Sequence, residues 1–192
     1  VNRRQRQMCI RDSLLSLEEL PPKIDGFVYC PGSINLRPFK GLRSEAFLND
    51  FELNVLGAVK CLQIIQPLLA ASEQASVVLF STVAVQTGIP FHASVAASKG
   101  ALEGLGRSLA AEWAPKIRVN LIASSITDTP LANRFLNNEI KKEKSSLRHP
   151  LKRIGSVNDV AELAVFLLTE KSSWMTGQVI GLDGGISTLN IN

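Results

Sequence analysis

The chain has 192 residues, 45% of them apolar and 20% charged, which is enough for one domain with a sizeable core and matches an ordinary globular composition. The net charge of +4 does not describe a nucleic-acid surface, because Arg3, Arg4, Arg6 and Arg11 against Asp12 supply most of it and no basic stripe interleaved with aromatics follows. No run reaches the ~20 uninterrupted apolar residues of a membrane span, no secretory leader opens the chain, and Cys9, Cys30 and Cys61 lack metal-ligand spacing, so no metal and no membrane partner are expected and a reduced, cytoplasmic setting fits best.

In chain order, residues 1–13 form a polar, arginine-rich leader that suits no element after it. Met8-Cys9-Ile10-Arg11-Asp12 resembles the translation of a sequencing-library adapter, so this stretch is expected to be non-native; a genuine disordered arm is the alternative. Leu14 to Leu20 reads as a short helix stopped by Pro21-Pro22. Asp25 to Cys30 is a buried strand ending at Pro31-Gly32. Ser44 is the expected N-cap of a long helix through about Ser72, with Phe47, Phe51, Val55, Leu56, Val59, Leu62 and Leu69 on its apolar side.

Ser76 to Thr82 is a second apolar strand, Ser94 to Trp113 a second long helix, and Lys116 to Ala123 a third strand. A polar, mobile-looking segment from Ser124 to His149 follows, carrying Asn137-Asn138 and the solvated cluster Lys141–Lys144. Val157 to Leu168 is an amphipathic helix, and Gln178 to Leu182 the last strand, closed by Asp183-Gly184-Gly185. There is no internal repeat or interdomain linker. Strands apolar throughout and separated by helices predict an α/β fold, a doubly wound parallel sheet. Ligands then bind at the carboxyl ends of the strands. Four segments follow strand ends: Pro31-Gly32, Ser81-Thr82, Ser124 to Thr129, and Asp183 to Gly185.

One helical pair carries the sharpest chemistry. Val95 and Lys99 stand at i and i+4, on one helix face. A phenol at 95 beside that ammonium would be a good proton donor, because a cation favours the phenolate. Valine carries no proton. Asn54 in mid-helix is locally unfavourable, since its amide competes for backbone hydrogen bonds, and that cost favours a site role. Thr82, at a strand's carboxyl end, can offer a hydroxyl to a carbonyl; Ser81 faces the other way by alternation.

In order and at spacing, these residues resemble the short-chain dehydrogenase/reductase family over Leu14 to Leu189. The resemblance rests on Asn54 in Leu53-Asn54-Val55-Leu56-Gly57, Ser81-Thr82 at a strand end, and Val95 with Lys99 in the tyrosine–lysine frame thirteen residues after Thr82. Arg118-Val119-Asn120, and Trp174 to Gln178 running on to Asp183-Gly184-Gly185, complete it. It implies a Rossmann-like domain that moves hydride between NAD or NADP and a small-molecule carbonyl or alcohol. Asn54, Thr82, position 95 and Lys99 are then the catalytic set; Gly32, Asn54, Lys99, Ile126 and Thr129 are on the cofactor side. It also implies a homo-oligomer through the two long helices, where Gly100, Ala101, Gly104, Gly106, Ala110 and Ala111 allow close approach. Packing against the sheet is the alternative use of those small residues.

The departures are as specific. The family's glycine-rich loop is missing, so residues 14–192 are expected to be the C-terminal part of one domain, short of about two strand–helix units of ~30 residues each. Asn-Asn-Ala-Gly stands as Tyr29-Cys30-Pro31-Gly32, Pro-Gly as Ser124-Ser125, and the catalytic serine as Thr82. The available substitutes for the phenol are His92 and Ser94 close by, a water relayed through Lys99 and Asn54, and, more remotely, Tyr29. The competing expectation is a non-catalytic nucleotide-binding or dimer-partner subunit that kept the fold and lost the chemistry.

Overall fold

The computed structural model describes residues 20–190; the leader, most of the helix expected at Leu14–Leu20, and Cys9 lie outside them. The strands β1 (Gly26–Tyr29), β2 (Ala75–Thr82), β3 (Ile117–Ser124) and β4 (Val179–Leu182) form one parallel sheet in the order β1-β2-β3-β4. Thr82 pairs with Ser124 and Ser124 with Leu182, so β2, β3 and β4 end together along one edge, while β1 stops at Tyr29, level with Leu79. Each expected strand is present within a residue or two of its bounds.

Side chains alternate between two cores, because strand residues point alternately to either face. Val77, Leu79, Val119 and Leu121 pack with Ala58, Leu62, Leu69, Leu102 and Ala110 from the two long helical runs. Val78 and Ile122, on the other face, pack with Ala164 and Leu167. Helices thus cover both faces, as the doubly wound reading requires.

The first long helical run comprises α1 (Ser44–Phe51), a π-helical turn (Glu52–Leu56) and α2 (Gly57–Ala70). Two expectations about it need correcting. Ser44 is the first helical residue and Arg43 the N-cap, with no side-chain cap bond. Phe51 and Leu56 are exposed rather than core-facing. The π turn explains the second point: the wider winding rotates the apolar stripe, so Asn54, Val55 and Ala58 turn inward instead. Ser44–Ala70 is long and apolar enough to cross a membrane, but in this fold Val55, Leu62, Ile65 and Leu69 are buried against the sheet.

A short helix α3 (Ala84–Thr87) precedes α4 (Ala93–Trp113), which carries the Val95–Lys99 pair. The segment after β3 is not the irregular stretch its polarity suggests. It folds into α5 (Asn133–Leu136) and α6 (Glu139–Leu147), buries Leu136 and His149, and starts α6 with an Asn138 side chain that caps Lys141 N. α7 (Val157–Leu168) opens on a capping box between Ser156 and Asp159.

Two of the quoted motifs meet at the far end of the sheet. Arg118 donates to Leu167 O, Thr169 O, Ser172 O and Met175 O, and Asn120 Nδ2 donates to Met175 O at 2.8 Å. Arg118 and Asn120 therefore clamp the Trp174–Gln178 turn that feeds β4. Their role is to hold the sheet together, away from the strand-end cleft.

Candidate functional site

Thr82, Ser124 and Ser125 stand at adjacent strand ends, and a cleft of about 670 Å³ opens there. Its walls include Gly32, Thr82, Val95, Lys99, Ile126 and Thr129, so six of the seven residues expected to form the site share one cavity. Asp183 to Gly185 stops short of it, and Ile186 reaches it instead.

Asn54 is the exception, and its geometry says why. It is wholly buried in the π turn behind the cleft. Its Oδ1 accepts from Ser33 N at 3.3 Å, while Nδ2 donates to Ser98 Oγ at 2.8 Å and Ser33 Oγ at 3.1 Å. That amide ties the loop after β1 to the helical turn that presents Lys99. It positions the site rather than lining it. Ser33 Oγ also donates to buried Asp50 at 2.7 Å, and the second oxygen of that carboxylate has no hydrogen-bond partner among the described residues.

Lys99 is buried and donates to Phe80 O at 2.7 Å. Burial pushes its ammonium down from 10.5 to about 8, and the Asp50 carboxylate partly opposes that. A side chain added at Gly32 would meet Lys99 Nζ at 3.5 Å and Asn54 Oδ1 at 3.6 Å, ordinary contact distances. The chain's own packing therefore does not demand glycine there. Thr82 Oγ1 accepts from Ala84 N at 3.3 Å and keeps its own proton for a partner in the cleft. Ser81, as alternation predicts, turns away and donates to buried Glu103 at 2.5 Å.

The substitutes for a phenol at 95 are sorted by the fold. Val95 is buried and apolar. Ser94 is buried too, outside the cleft wall, and its hydroxyl has no hydrogen-bond partner among the described residues. Tyr29 belongs to the core: its hydroxyl donates to Leu53 O at 2.7 Å, and burial, with a smaller push from Cys61, raises it far above the usual phenol range. Only His92 reaches the cleft, from the residue before α4, with Nδ1 2.8 Å from Pro90 O.

Sequence reasoning missed one contact within the cleft. Ser125 falls in the Ser124–Thr129 segment expected at the strand ends but has no role of its own there, and His149 only closes the polar segment after β3. They lie 24 positions apart, with Ser125 Oγ 2.9 Å from His149 Nε2. No sequence period could have joined them.

Comparison with known proteins agrees with this architecture. The profile of the family described as enoyl-(acyl carrier protein) reductase matches residues 10–187. A tropinone reductase homologue of Arabidopsis thaliana is 36% identical over 166 residues, 86% of this chain and 63% of that protein. The chain spans 61–63% of the length of the first such relatives. A short-chain dehydrogenase/reductase of Brucella melitensis, of the glucose/ribitol dehydrogenase kind, superposes with a TM-score of 0.79 at 29% identity, over 85% of this chain and 65% of that one. Pseudomonas aeruginosa RhlG, solved with NADP, gives 0.81 at 29% identity, over 89% and 69%. A profile that spans nearly the whole sequence, over a sheet that its relatives share, is sufficient: the chain belongs to the short-chain dehydrogenase/reductase family, a family of oxidoreductases.

Proposed function

We propose that this chain is the substrate-side part of a nicotinamide-dependent oxidoreductase that interconverts a small-molecule carbonyl and an alcohol. One observation supports it above the others: Thr82 and Lys99, from a strand end and a helix, face one cleft with Gly32, Ile126 and Thr129. The donor set fits the nicotinamide–ribose end of NAD or NADP. Lys99 has three N–H donors and spends one on Phe80 O, leaving two for ribose hydroxyls. Gly32 leaves that approach open. The dinucleotide supplies hydride when bound. Thr82 holds the carbonyl oxygen, Asn54 keeps the loop and helix in register, and the apolar walls exclude water. Free thiols at Cys30 and Cys61 suit a reducing, cytoplasmic setting. Two copies are proposed to pair through α1, α2 and α4.

The test uses the complete reading frame that carries these residues, with NAD(P)H oxidation followed against a panel of carbonyls. Measurable turnover is expected. Val95→Tyr should raise kcat if no other group donates the proton, and leave it nearly unchanged if another acid is already in place. Buried, protonless Val95 favours the second reading, a nucleotide-binding subunit without catalysis. Binding of NAD(P) with no turnover of any carbonyl or alcohol would establish that one instead.

A further inference from the structure

Reducing a carbonyl requires a proton at its oxygen as well as hydride at its carbon, and position 95 has none to give. The cleft contains one titratable hydroxyl–imidazole pair that nothing above employs. His149 is 3% exposed and follows α6. Its Nδ1 lies 2.8 Å from Ser145 O, and its Nε2 2.9 Å from Ser125 Oγ. A carbonyl oxygen only accepts, so Nδ1 carries a hydrogen. In the neutral ring Nε2 then accepts the Ser125 O–H; in the cation Nε2–H donates to Ser125 Oγ and frees the hydroxyl proton for another acceptor.

Both residues line the cleft. Ser125 directly follows Ser124, the β-partner of Thr82, so the two hydroxyl-bearing residues occupy adjacent strand ends. The backbone fixes the pair: Ser125 N donates to Leu182 O at 3.2 Å, and Gly184 packs close to the His149 side chain. The Asp183 carboxylate interacts electrostatically with the ring, and the charged residues on its own segment are Arg148 and Lys152, both exposed. Nearby walls are apolar, with Ile126, Leu131, Phe135, Val160 and Ile186.

We propose that Ser125 donates the proton to the substrate oxygen and that His149 recharges it, with a ketone or aldehyde on an apolar carbon skeleton as the substrate. This rests on the carbonyl-reducing reading above. The carbonyl carbon receives hydride from a reduced nicotinamide dinucleotide, and the C=O π pair moves to oxygen. That oxygen takes the Ser125 hydroxyl proton as Nε2–H passes to Ser125 Oγ, in one concerted shift that forms no free alkoxide on serine. The ring is left neutral with its Nδ1–H still on Ser145 O. One carbonyl is reduced, one dinucleotide oxidised, and one proton drawn from the imidazolium. Ser125 is thus a catalytic residue, and His149 a positioning residue that acts through it.

The experiment measures kcat and KM against pH in the complete reading frame, with NAD(P)H and an apolar ketone. The unaltered protein should slow as pH rises and the imidazolium is lost. Ser125→Ala and His149→Gln should each lower kcat by on the order of 10²-fold with little change in KM and flatten that limb, and Ser125→Thr should recover most of the rate. Thermal unfolding of each variant separates misfolding from lost chemistry. Nitrogen-15 spectra of the 192-residue chain supply a readout without cofactor: a neutral His149 with hydrogen on Nδ1, whose titration shifts in Ser125→Ala. Turnover and pH limb retained in both variants, or hydrogen on Nε2 in the neutral ring, overturns the pair and leaves the reductase reading standing. Absence of turnover in the unaltered protein overturns both.

Discussion

Burying Lys99 has a consequence for stability whatever the chain binds. Its ammonium falls to about 8 in the fold against 10.5 in the open chain, mainly through desolvation. Below pH 8 both states are protonated, and the folded state carries the full cost, about 3 kcal/mol at 1.36 kcal/mol per unit of pKa. Between pH 8 and 10.5 the unfolded chain binds more protons than the folded one, so this contribution turns in favour of folding as pH rises. Above 10.5 the cost has vanished. Lys99→Met should therefore resist urea better than the parent at pH 7, and the difference should shrink on titration toward pH 10. Equal denaturation midpoints at pH 7 would mean that the ammonium is well solvated. Asp50 pushes the other way, so Asp50→Asn should move the Lys99 titration below 8, which lysine-directed NMR reads directly.

At the scale of elements, the π turn shows which parts of the fold can be read from sequence. Asn54 in mid-helix was legible as a cost, because a short amide side chain does not favour an α-helix interior. The turn that accommodates it was not legible, since the 3.6-residue period continues on either side. The period alone therefore placed Phe51 and Leu56 in the core, and they lie outside. Strands and long helices were readable because their burial repeats locally. The two helices after β3 were not, because Leu136 and His149 earn their burial from distant partners. The same holds within the cleft: residues in the 95–99 frame could be placed by spacing, whereas the Ser125–His149 contact exists only once β3 and the segment after α6 have met.

The π turn also depends on a steric match. Gly57 N reaches back five residues to Glu52 O, and Leu53 O accepts the Tyr29 hydroxyl. A Cβ on Gly57 would overlap that hydroxyl oxygen and stand 3.3 Å from Tyr29 Cζ. Gly57→Ala should thus destabilise by about 1–3 kcal/mol, the usual cost of overpacking. Tyr29→Phe removes the hydroxyl's hydrogen bond to Leu53 O and should cost about 0.5–1.5 kcal/mol alone. Combined, the two should cost clearly less than their sum, since removing the oxygen makes room for the methyl group. Additive losses in a urea double-mutant cycle would show that the hydroxyl and Gly57 are not in contact.

For the molecule as a whole, the small residues of α4 divide between two tasks. Gly106 is needed by the fold itself, because a Cβ there would stand 2.6 Å from Leu121 Cδ1 on β3. Ala110 is buried on the same side. Ala101 and Ala111 point outward, and a Cβ at Gly104 would meet nothing within 4 Å. Leu48, Phe51 and Leu56 stand exposed on the neighbouring helical run. A glycine in mid-helix that no neighbour requires costs about 1 kcal/mol relative to alanine, so it needs another reason, and close approach of a second copy supplies one. Gly104→Arg separates the two tasks: it improves helix propensity and collides with nothing within its own chain, yet puts a charged side chain where a partner helix would lie. Light scattering coupled to size exclusion should find the unaltered protein as a dimer or larger and Gly104→Arg as a folded monomer. A monomeric parent, or an arginine variant that keeps its assembly, would remove this face from any interface and leave the exposed leucines and phenylalanine without a partner of this chain's own kind.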